Sequence, residues 1–479
     1  MKYIGFAILA LLGIVVLLLL IAVIRTLLTK PKKATYEPHP DPALARKYAE
    51  KLAAMVRVET VASKEEPCLW KFHNLQRVMG NLFPLVHRNL EKTEIDGNLL
   101  YYWKGQSSER PIVLMAHQDV VPAEGVWEHE PYSGDIADGL VWGRGSGDTK
   151  CSLMAFLQAV EELLAAGHVP AQDVYLCSSC TEEFGGDGAP KLVAELKRRG
   201  VKPWIVSDEG GGIITEPVGG VKGHYAMVGL FEKGHANVKF TARSAGGHAS
   251  APPRNSPVAR LAAFVHHVEK KNPFRMELRP EVVGMFRKLT PYAGFPLRLV
   301  FGNLWLFGPL LTKLMPLISS QATAMMRTTI AFTMMSGSEA CNVLPQEASV
   351  YANLRFIPHQ GMDESLRVIT ELAAKYGLET EVLSASDYSP SLDAKGPAFA
   401  QVEAAIAASF PALPAVPYVV TGGTDAKFYQ EICPNCVRFS PVIYGPAQLK
   451  GMHGLNETIS VDCLPGAVEF YKNLIIGNK

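Results

Sequence analysis

The sequence predicts a mainly parallel α/β domain with helices on both faces of its sheet, interrupted by a smaller α+β domain and preceded by one apolar helix. Three observations predict this architecture. Short apolar runs alternate with helical stretches through the first half of the body, as in a parallel sheet covered by helices. The pattern changes to alternating strands near His224, and the α/β pattern returns near Ser386. A chain of 479 residues also exceeds the roughly 250–300 residues that one core supports.

The overall composition excludes two broad classes of protein. Hydrophobic residues make up 48% of the chain and charged residues 19%, which is the balance of a globular protein and not of a disordered one. The formal net charge is +1, so the chain as a whole has no electrostatic attraction for nucleic acid, and we expect no such partner. Specificity must therefore arise from local sites.

The N-terminal segment from Tyr3 to Ile24 contains no charged residue. At about 1.5 Å per residue, a helix of this length crosses a hydrocarbon layer of about 30 Å. Residues 3–24 are therefore predicted to form a transmembrane helix, which attaches the body to a membrane, and residues 25–40 an extended tether. A cleaved signal peptide is the alternative, although no clear small-x-small cleavage site precedes Arg25. Lysine and arginine residues are more frequent after the helix, which favours a cytoplasmic body without deciding the side of the membrane.

The body is predicted to begin with the helix that starts at Asp41-Pro42, a good N-cap and first-turn pair. Residues 41–223 are expected to form the first part of the α/β domain, residues 224–384 the inserted domain and residues 385–479 the second part. The predicted strands are Ile112–Ala116, Val174–Cys180, Trp204–Val206, Ala236–Ala242, Ala348–Phe356 and Val437–Tyr444. The predicted helices are Ser152–Ala166, Asp363–Tyr376 and Ala398–Ser409.

One stretch of the inserted domain, residues 294–318, is unusually apolar. It contains Gly302, Gly308 and Pro309, and it is too short and too interrupted to span a bilayer. Two interpretations remain open. The stretch is either a helical hairpin packed on the core of the inserted domain, or a wall for a hydrophobic substrate or a surface that dips into the membrane.

The eight cysteines include two Cys-x-x-Cys pairs. Cys177 and Cys180 fall in an apolar run that is typical of a buried strand, where cysteine behaves as a small hydrophobic residue. Cys433 and Cys436 lie in a predicted turn, and a disulfide there depends on an oxidising compartment. Neither a structural zinc site nor a redox site is expected from these pairs.

Acidic residues and histidines follow several of the predicted core strands. In open α/β sheets, active sites lie at the carboxyl ends of the strands, so side chains at these points are placed to do chemistry. Adjacent buried carboxylates repel each other unless a cation neutralises them. The residues that follow strands in this way are His117, Asp119, Glu182, Glu183, Asp208 and Glu209.

A glycine-rich loop carries a further acid, Asp148, in the sequence Gly143-Arg-Gly-Ser-Gly-Asp148. The order of a phosphate-binding loop is absent, and a carboxylate has the wrong charge for an anion but the right charge for a divalent cation. His453 adds a late histidine in a loop of its own. Together these residues provide the mixed oxygen and nitrogen donors that two zinc ions use.

The ordered set of motifs resembles the two-zinc metallopeptidases that include aminoacylase, acetylornithine deacetylase, succinyl-diaminopimelate desuccinylase and carboxypeptidase S, over roughly Asp41 to the C-terminus. The carboxypeptidase S branch, with its N-acyl-amino-acid hydrolase/synthase relatives, is the most similar. The resemblance implies two Zn²⁺ per subunit, with Co²⁺ or Mn²⁺ as substitutes. It also implies hydrolysis of an amide bond next to a free amino-acid carboxylate, in an N-acyl amino acid or a short peptide, and it allows a homodimer through the inserted lid domain.

Carried over by position, the resemblance assigns five metal ligands. His117 and Asp208 would bind one zinc ion, Glu183 and His453 would bind the other, and Asp148 would bridge the two. These roles are implied by the family pattern and not by the spacing of the residues.

The resemblance also assigns catalytic and substrate-binding residues. Glu182 would be the general base, Asp119 would orient His117, and His248 of the inserted domain would stabilise the oxyanion. The residues that would hold the substrate carboxylate, or lie beside it, are Asn342, Arg355, Gly423 and Thr424.

Two features depart from the family pattern. Cys151 stands where many relatives have glycine, which puts the packing near Asp148 in doubt. The apolar stretch 294–318 is absent from the small deacetylases, and it favours hydrophobic acyl or peptide groups over their polar substrates. From a different class, the chain is alternatively a non-catalytic, metal-stabilised and membrane-tethered binding protein. Such a protein would have no need of the base, Glu182.

Overall fold

The structure is a computed structural model that describes residues 2–38 and 41–479. The helices are α1 (Lys2–Leu28), α2 (Pro42–Val56), α3 (Leu69–Leu82), α4 (Pro84–Asn89), α5 (Lys150–Ala165), α6 (Gly188–Arg198), α7 (Pro257–Lys270), α8 (Pro280–Leu289), α9 (Phe295–Gly302), α10 (Leu304–Ile318), α11 (Ser320–Ala324), α12 (Met362–Ala374), α13 (Pro397–Ser409), α14 (Ala426–Tyr429), α15 (Pro446–Gly451) and α16 (Leu464–Ile476). Single 3-10 turns occur at Thr290–Tyr292 and Val461–Cys463.

In the described residues, the strands form a large eight-stranded sheet, a small four-stranded sheet, a short three-stranded sheet and a two-stranded ribbon. They are β1 (Glu91–Ile95), β2 (Asn98–Trp103), β3 (Ser107–Met115), β4 (Ile136–Ala137), β5 (Leu140–Trp142), β6 (Gln172–Ser178), β7 (Ile205–Thr215), β8 (His224–Glu232), β9 (Gly234–Arg243), β10 (Gly247–His248), β11 (Thr329–Ser336), β12 (Val343–Leu344), β13 (Glu347–Phe356), β14 (Glu379–Ser386), β15 (Ala415–Val420), β16 (Cys436–Tyr444) and β17 (Thr458–Ser460).

The large sheet has the strand order β1-β2-β6-β3-β7-β16-β8-β15. Its centre is parallel, because β3 runs parallel to β6 and β7, and β7 runs parallel to β16. β1 and β2 form an antiparallel edge, and β8 runs antiparallel to β7 and β16. The predicted mainly parallel α/β domain is confirmed, with antiparallel parts that the apolar runs did not reveal.

Alternate residues of the central strands face two separate layers of helices. Ile112 and Leu114 of β3 belong to the core cluster that contains α2, α5 and α16. Val113 and Met115, which point the other way, belong to the cluster under α6 and α14. Because successive side chains of a strand alternate between faces, a strand buried on both sides is apolar throughout. This explains why the sequence shows continuous apolar runs.

The first helix of the body begins where the sequence predicts. The Asp41 carboxylate accepts hydrogen bonds from the backbone N–H groups of Ala43 and Leu44, at 2.9 and 3.1 Å. This is the N-cap arrangement, which satisfies donors that the first turn leaves unpaired. Tyr48 and Leu52, at helical spacing, are buried in the core.

The small domain is an antiparallel sheet of order β11-β13-β9-β14. Its core lies between this sheet and helices α7 and α12, and Phe240 and Phe264 pack at its centre with ring centroids 4.9 Å apart. The predicted α+β domain is therefore present as a separate hydrophobic core. The pair β10–β12 forms a short ribbon beside it.

The start of the inserted domain, predicted at residue 224, requires correction. Strand β8, residues 224–232, pairs with β7, β16 and β15 in the large sheet. β8 is buried on both faces, as a strand inside a sheet is. The predicted boundary therefore lies one strand before the true start of the inserted domain. The small sheet begins with β9 at Gly234 and ends with β14 at Ser386, close to the predicted residue 384.

The apolar stretch 294–318 forms the helix pair α9 and α10, which are bent by 106° at the break between them. Phe301 and Met315 of this pair are buried in the core of the large domain, not in that of the inserted domain. The interpretation that the hairpin packs on the inserted domain is therefore wrong. Both helices belong to the segment between β9 and β11, and this segment packs on the core of the large domain.

Helix α1 is apolar and mostly exposed, and its segment Phe6–Leu28 is long and apolar enough to cross a membrane. The helix continues beyond the predicted end at residue 24 to Leu28. Its last turns are not free, because Ala22 and Thr26 are buried against the body.

The predicted tether is extended from about residue 29, but it is packed on the body. The ring of Tyr36 is buried and lies edge-on to Phe410, with ring centroids 5.7 Å apart. Lys32 donates a backbone hydrogen bond to the Pro291 carbonyl at 2.8 Å. The final part of the tether, residues 39–40, lies outside the described residues.

The eight cysteines are free thiols. Cys177 is buried in β6 as predicted, and Cys180 is buried just after it. Cys433 and Cys436 are also buried, and the Cys436 thiol donates to the Cys433 carbonyl at 3.4 Å.

Candidate active site

The carboxyl ends of β3, β6 and β7 lie side by side and bring the predicted polar residues together. His117 follows β3, Glu183 follows β6, and Glu209 lies in β7. Asp148 precedes α5, and His453 follows α15. These five side chains form two groups whose donor atoms could each hold a metal ion.

The first group consists of His117, Asp148 and Glu209. Nε2 of His117 lies 3.1 Å from Oδ1 of Asp148 and 3.2 Å from Oε1 of Glu209. Burial alone would lower the pKa of His117, but the charges and hydrogen bonds of Glu209, Asp119 and Asp148 outweigh it and raise the pKa well above its usual value. The group is thus rich in negative charge.

The second group consists of Asp148, Glu183 and His453. Nε2 of His453 lies 3.0 Å from Oδ2 of Asp148 and 3.1 Å from Oε2 of Glu183. Hydrogen bonds to these two carboxylates raise the pKa of His453 to about 10. Asp148 offers one oxygen to each group, which is the arrangement that a bridging carboxylate requires.

The donor set fits two divalent cations. In each group, the three ligand atoms lie within 4.8 Å of one another. Burial, and then the negative charge of Asp148, raise the pKa of Glu209 well above its usual range. The carboxylates of the two groups therefore repel each other more than the two histidines can compensate, and bound cations would relieve this repulsion. Imidazole and carboxylate donors are suited to zinc and to similar ions.

The structure brings Glu209, and not the predicted ligand Asp208, into the first group. The Asp208 carboxylate accepts a hydrogen bond from the backbone N–H of Ala426 at 2.8 Å. Neighbouring residues of a strand point to opposite faces, so only one of the two acids can point at His117. Burial raises the pKa of Asp208 to about 6.

Asp119 lies beside His117 but contacts it mainly through its backbone. Nδ1 of His117 lies 2.9 Å from the Asp119 carbonyl oxygen and 3.5 Å from carboxylate Oδ1. The other carboxylate oxygen of Asp119 accepts from the backbone N–H of Glu183 at 2.9 Å. Asp119 is thus placed to orient a residue of each donor group, which extends the predicted role.

Glu182 lies beside the two groups. Burial raises the pKa of Glu182 well above its usual range, and the charges of Glu209, Asp425 and Glu183 add to that effect, while His117 opposes it. A carboxyl group with a raised pKa is a stronger proton acceptor, as a general base requires.

Glu457, which had no predicted role, supports the glycine-rich loop. One carboxylate oxygen accepts from the N–H groups of Gly147 and Asp148 at 2.8 and 2.9 Å, and the other from Gly145 N–H at 3.0 Å. Arg144 pairs with the same carboxylate at 2.8 Å. Glu457 therefore fixes the loop that presents Asp148. The only signal in the sequence is that it lies four residues after His453.

Three of the four predicted carboxylate-binding residues lie at two places. Thr424 is buried in the loop after β15, and its hydroxyl has no hydrogen-bond partner among the residues that the structure describes. Gly423 beside it is exposed. Arg355 lies in β13 of the small sheet and donates from Nε to Asn353 at 3.0 Å.

Positive charge is concentrated around Arg355. Burial, and then the nearby charges of Arg355 and Arg327, together lower the pKa of Lys233 to about 7. Burial likewise lowers the pKa of Arg355, although Glu232 partly compensates. A carboxylate of a ligand would relieve this repulsion, so the surroundings of Arg355 suit an anion.

His248 and Asn342 are not in either donor group. Both are exposed at the ribbon β10–β12, where the Ala249 N–H donates to the Asn342 carbonyl at 3.0 Å. Nδ1 of His248 lies 2.8 Å from the Ser250 hydroxyl. The structure thus brings four of the five predicted ligands together in the donor groups but leaves His248 and Asn342 at the edge of the inserted domain.

A mainly parallel sheet with two candidate metal-binding donor groups at its carboxyl edge is the arrangement expected of a metal-dependent hydrolase. The chain belongs to Peptidase family M20/M25/M40, whose profile matches residues 113–477. The predicted family is thereby confirmed.

Relatives match nearly the whole chain. The N-fatty-acyl-amino acid synthase/hydrolase PM20D1 of Xenopus tropicalis is 33% identical over 438 residues, covering 90% of this chain and 85% of that protein. The probable carboxypeptidase S-like 2 of Dictyostelium discoideum is 32% identical, covering 89% and 84%. Carboxypeptidase S of Saccharomyces cerevisiae is 28% identical, covering 91% and 85%.

Solved structures share the fold at low sequence identity. The M20 family metallo-carboxypeptidase Sso-CP2 from Sulfolobus solfataricus superposes with a TM-score of 0.68 at 17% identity, covering 90% of this chain and 98% of that chain. Human carnosine dipeptidase 1 gives a TM-score of 0.64 at 16% identity, covering 91% and 96%. These structural similarities establish the fold. At this level of identity they do not identify the substrate, which has to be inferred from the residues of the site.

Proposed function

We propose that the protein hydrolyses the amide bond next to a free amino-acid carboxylate, in N-acyl amino acids or short peptides, with two zinc ions as cofactors. The observation that carries the proposal is the position of Asp148 between two donor groups, one with His117 and Glu209 and one with Glu183 and His453. Metallohydrolases with two metal ions use such a shared carboxylate.

The proposed ligands are the members of the two groups, with Glu209 in the place that the family resemblance assigned to Asp208. Cobalt or manganese is expected to substitute for zinc, because imidazole and carboxylate donors accept several such ions. When bound, the two cations would polarise the substrate carbonyl and lower the pKa of water. His453 is 56% exposed, so the second group can exchange ions with solvent.

Glu182 is proposed to move the proton. It takes a proton from the attacking water and returns it to the nitrogen that leaves, which is the double role of a general base and general acid. Its raised pKa, caused first by burial, supports this assignment. Glu183 contacts His453 and belongs to the second donor group, so it is proposed as a metal ligand, whereas the adjacent Glu182 is proposed as the base.

Arg355 is proposed to bind the free carboxylate of the substrate. The planar guanidinium can form two parallel hydrogen bonds with a carboxylate. The excess of positive charge around it, with Lys233 and Arg327, supports an anionic ligand. The unpartnered hydroxyl of Thr424 is a second candidate donor in the described part of the chain.

The acyl or peptide part of the substrate is proposed to be hydrophobic. The support comes from the relatives that are named N-fatty-acyl-amino acid synthase/hydrolase, at up to 33% identity. The apolar pair α9 and α10 no longer supports it, because the pair packs on the large core and on α1.

His248 is proposed to act on the oxyanion only after the inserted domain moves or when a second subunit supplies it. Its side chain is exposed and bonded to Ser250 in the single chain. A homodimer through the inserted domain is one arrangement that would bring it to a donor group.

Helix α1 is proposed to anchor the protein in a membrane as a single span. Its length and apolar composition support this, and the greater number of cations after the helix favours a cytoplasmic body. If the span is retained, the intact protein should stay in membranes after carbonate washing and keep its original N-terminus. A soluble form that begins after about residue 25 would show cleavage by a signal peptidase.

The proposed activity is tested with the full-length protein in detergent. Long- and short-chain N-acyl amino acids, dipeptides and their C-terminal amides are each incubated with it, and the released amino acid is measured. Release from the free acids, lost in Glu182→Gln at unchanged metal content, is the expected result. Two bound metal ions without turnover of any substrate would favour the non-catalytic binding protein instead.

A further inference from the structure

We propose that the last turns of α1 and the helix pair α9–α10 form one lipid-facing surface, so that the body lies directly on the bilayer. The helix pair is therefore a second membrane contact, beside the anchor, and dips into the outer part of the lipid layer without crossing it. The exposed apolar side chains of this surface on the helix pair are Phe295, Trp305, Leu310, Leu314, Leu317 and Ile318.

A buried polar contact joins the anchor to the pair. The amide Nδ2 of Asn303 donates to the Ala22 carbonyl and to the Thr26 hydroxyl, both at 3.1 Å. Asn303 is 0% exposed, Ala22 0% and Thr26 1%. Because a polar contact in an apolar environment has no water to replace it, this contact fixes the two elements together.

The segment after α1 adds a second attachment close to the first. Lys32 donates from its backbone to the Pro291 carbonyl at 2.8 Å, immediately before the helix pair. The Cβ of Ala34 lies 2.7 Å from the position that a Cβ on Gly223 would occupy, so the two backbones are in close contact. Residues 32–34 are therefore held against the body and do not act as a flexible tether.

The shape of the pair suits shallow insertion. The two helices are bent by 106° at Asn303, and α10 contains Pro309 and Pro316. Each helix is too short to span about 30 Å of hydrocarbon. Leu317 is 85% exposed and Ile318 69%, values that are unfavourable in water for adjacent large apolar residues at the end of a helix.

The charges beside the surface fit the polar boundary of a bilayer. Cations there attract anionic lipid headgroups, and their long side chains can reach past the apolar layer. The exposed cations on α1, on the segment that follows it and on α10 are Arg25, Lys30, Lys32, Lys33 and Lys313.

The occupant of the surface is lipid, because of its continuity with α1. Helix α1 is apolar on all sides, and only 6% of the most apolar 18 residues of its segment Phe6–Leu28 are buried in the protein. The helix pair is attached to the end of that helix through Asn303, so whatever surrounds the end of α1 also reaches the pair. If α1 spans a bilayer, the pair must lie at its surface.

The position of Leu317 relative to lipid tests the proposal in full-length protein in nanodiscs of phosphatidylcholine and phosphatidylglycerol. Leu317→Cys is labelled with an environment-sensitive fluorophore in a Cys341→Ser background, because Cys341 is an exposed native thiol. Val169→Cys, which is 55% exposed in the loop between α5 and β6, is the matched control. The label at residue 317 should shift to shorter wavelength and lose intensity in brominated lipid, and the control label should do neither.

Two outcomes would overturn the proposal. A label at residue 317 that shifts but is not quenched by brominated lipid would be covered by protein, as in a second copy of the chain. A label that does not shift would lie in water. Neither outcome depends on substrate, so the test is independent of the proposed activity.

A second measurement covers the case in which labelling disturbs the helix. Hydrogen exchange of α10 in nanodiscs is compared between the native protein and Leu317→Glu/Ile318→Glu, with Val169→Glu as control. The double variant should lose protection in α10 while α1 keeps its own. Unchanged exchange in α10 would also overturn the proposal.

Discussion

Arg438 and Glu232 form an ion pair inside the large sheet, with Nη2 of the arginine 3.1 Å from Oε1 of the glutamate and side-chain exposures of 0% and 2%. The other oxygen of Glu232 accepts a hydrogen bond from the backbone N–H of Thr424. The pair therefore joins β8 and β16 to the loop that carries the candidate carboxylate-binding residues. A fully buried pair is sensitive to the loss of either partner.

Replacing Glu232 by Gln should destabilise the protein strongly. The change leaves Arg438 buried without a counter-charge, which costs about 3–5 kcal/mol in comparable buried pairs. The free energy of unfolding, measured with urea, checks this. Glu232→Met/Arg438→Met removes both charges and should recover part of the loss. A single variant within about 1 kcal/mol of the native protein would contradict the importance of the pair.

Glu182→Gln should reduce kcat by at least about a hundredfold, because the amide keeps the size of the side chain but cannot accept the proton. Metal content, measured by elemental analysis, should not change. Glu403→Gln is the matched control, since Glu403 is a half-buried residue of α13, outside the donor groups, that pairs with Lys288. Loss of metal in Glu182→Gln would show that this residue is a ligand and not the base.

Metal content should distinguish Glu209 from Asp208. Glu209→Ala removes a donor from the first group, so bound metal should fall from about two ions to about one per chain. Asp208→Asn keeps the acceptor for Ala426 and should leave the metal content near two. The reverse result would restore Asp208 as the ligand that the family resemblance assigned.

Arg355→Lys should weaken the use of substrates with a free carboxylate. The variant keeps the charge but loses the planar arrangement of donors, and a loss of about 1.5–3 kcal/mol corresponds to roughly 10–150-fold in kcat/KM. Amidation of the substrate carboxylate should then cost the native protein far more than the variant. Equal hydrolysis of free acids and amides by the native protein would contradict this role of Arg355.

His87 should make stability depend on pH. Burial lowers the pKa of His87 below its usual 6.5, and Nε2 lies 2.9 Å from the Tyr101 hydroxyl. As the pH falls through 6.5, the unfolded chain takes up the proton first, so the folded state loses stability until its own lower pKa is reached.

The pH effect is measured as the midpoint of urea unfolding from about pH 8 to about pH 5. His87→Gln should reduce the decrease at low pH, because glutamine does not titrate. Tyr101→Phe should lower stability near neutral pH and change the pH dependence less. An unchanged pH dependence in His87→Gln would assign the effect to other groups.

The core strands and the donor residues that follow them could be predicted from the sequence, because buried parallel strands are continuous apolar runs and their ends are marked by polar residues. Which of Asp208 and Glu209 faces the first donor group could not be predicted from the sequence. It depends on which residue of the pair faces His117, and a shift of one residue reverses the facing of a strand.

The function of Glu457 and the location of the apolar pair also depended on the folded structure. Glu457 accepts hydrogen bonds from the loop at Gly145–Asp148, which is distant in sequence, so its position near His453 could not reveal this role. The pair α9–α10 is apolar enough to pack on either core, and only the folded chain selects the large one.

The place of β16 in the large sheet has a consequence for how the protein is made. This strand lies between β7 and β8, yet it follows the whole inserted domain in the chain. During synthesis, β7 and β8 therefore emerge long before the strand that pairs with both of them. Pairing of such distant segments slows folding, and unpaired edges invite association with other chains. A ribosome that stalls before residue 436 would thus release a chain whose central sheet is open and whose His453 is missing.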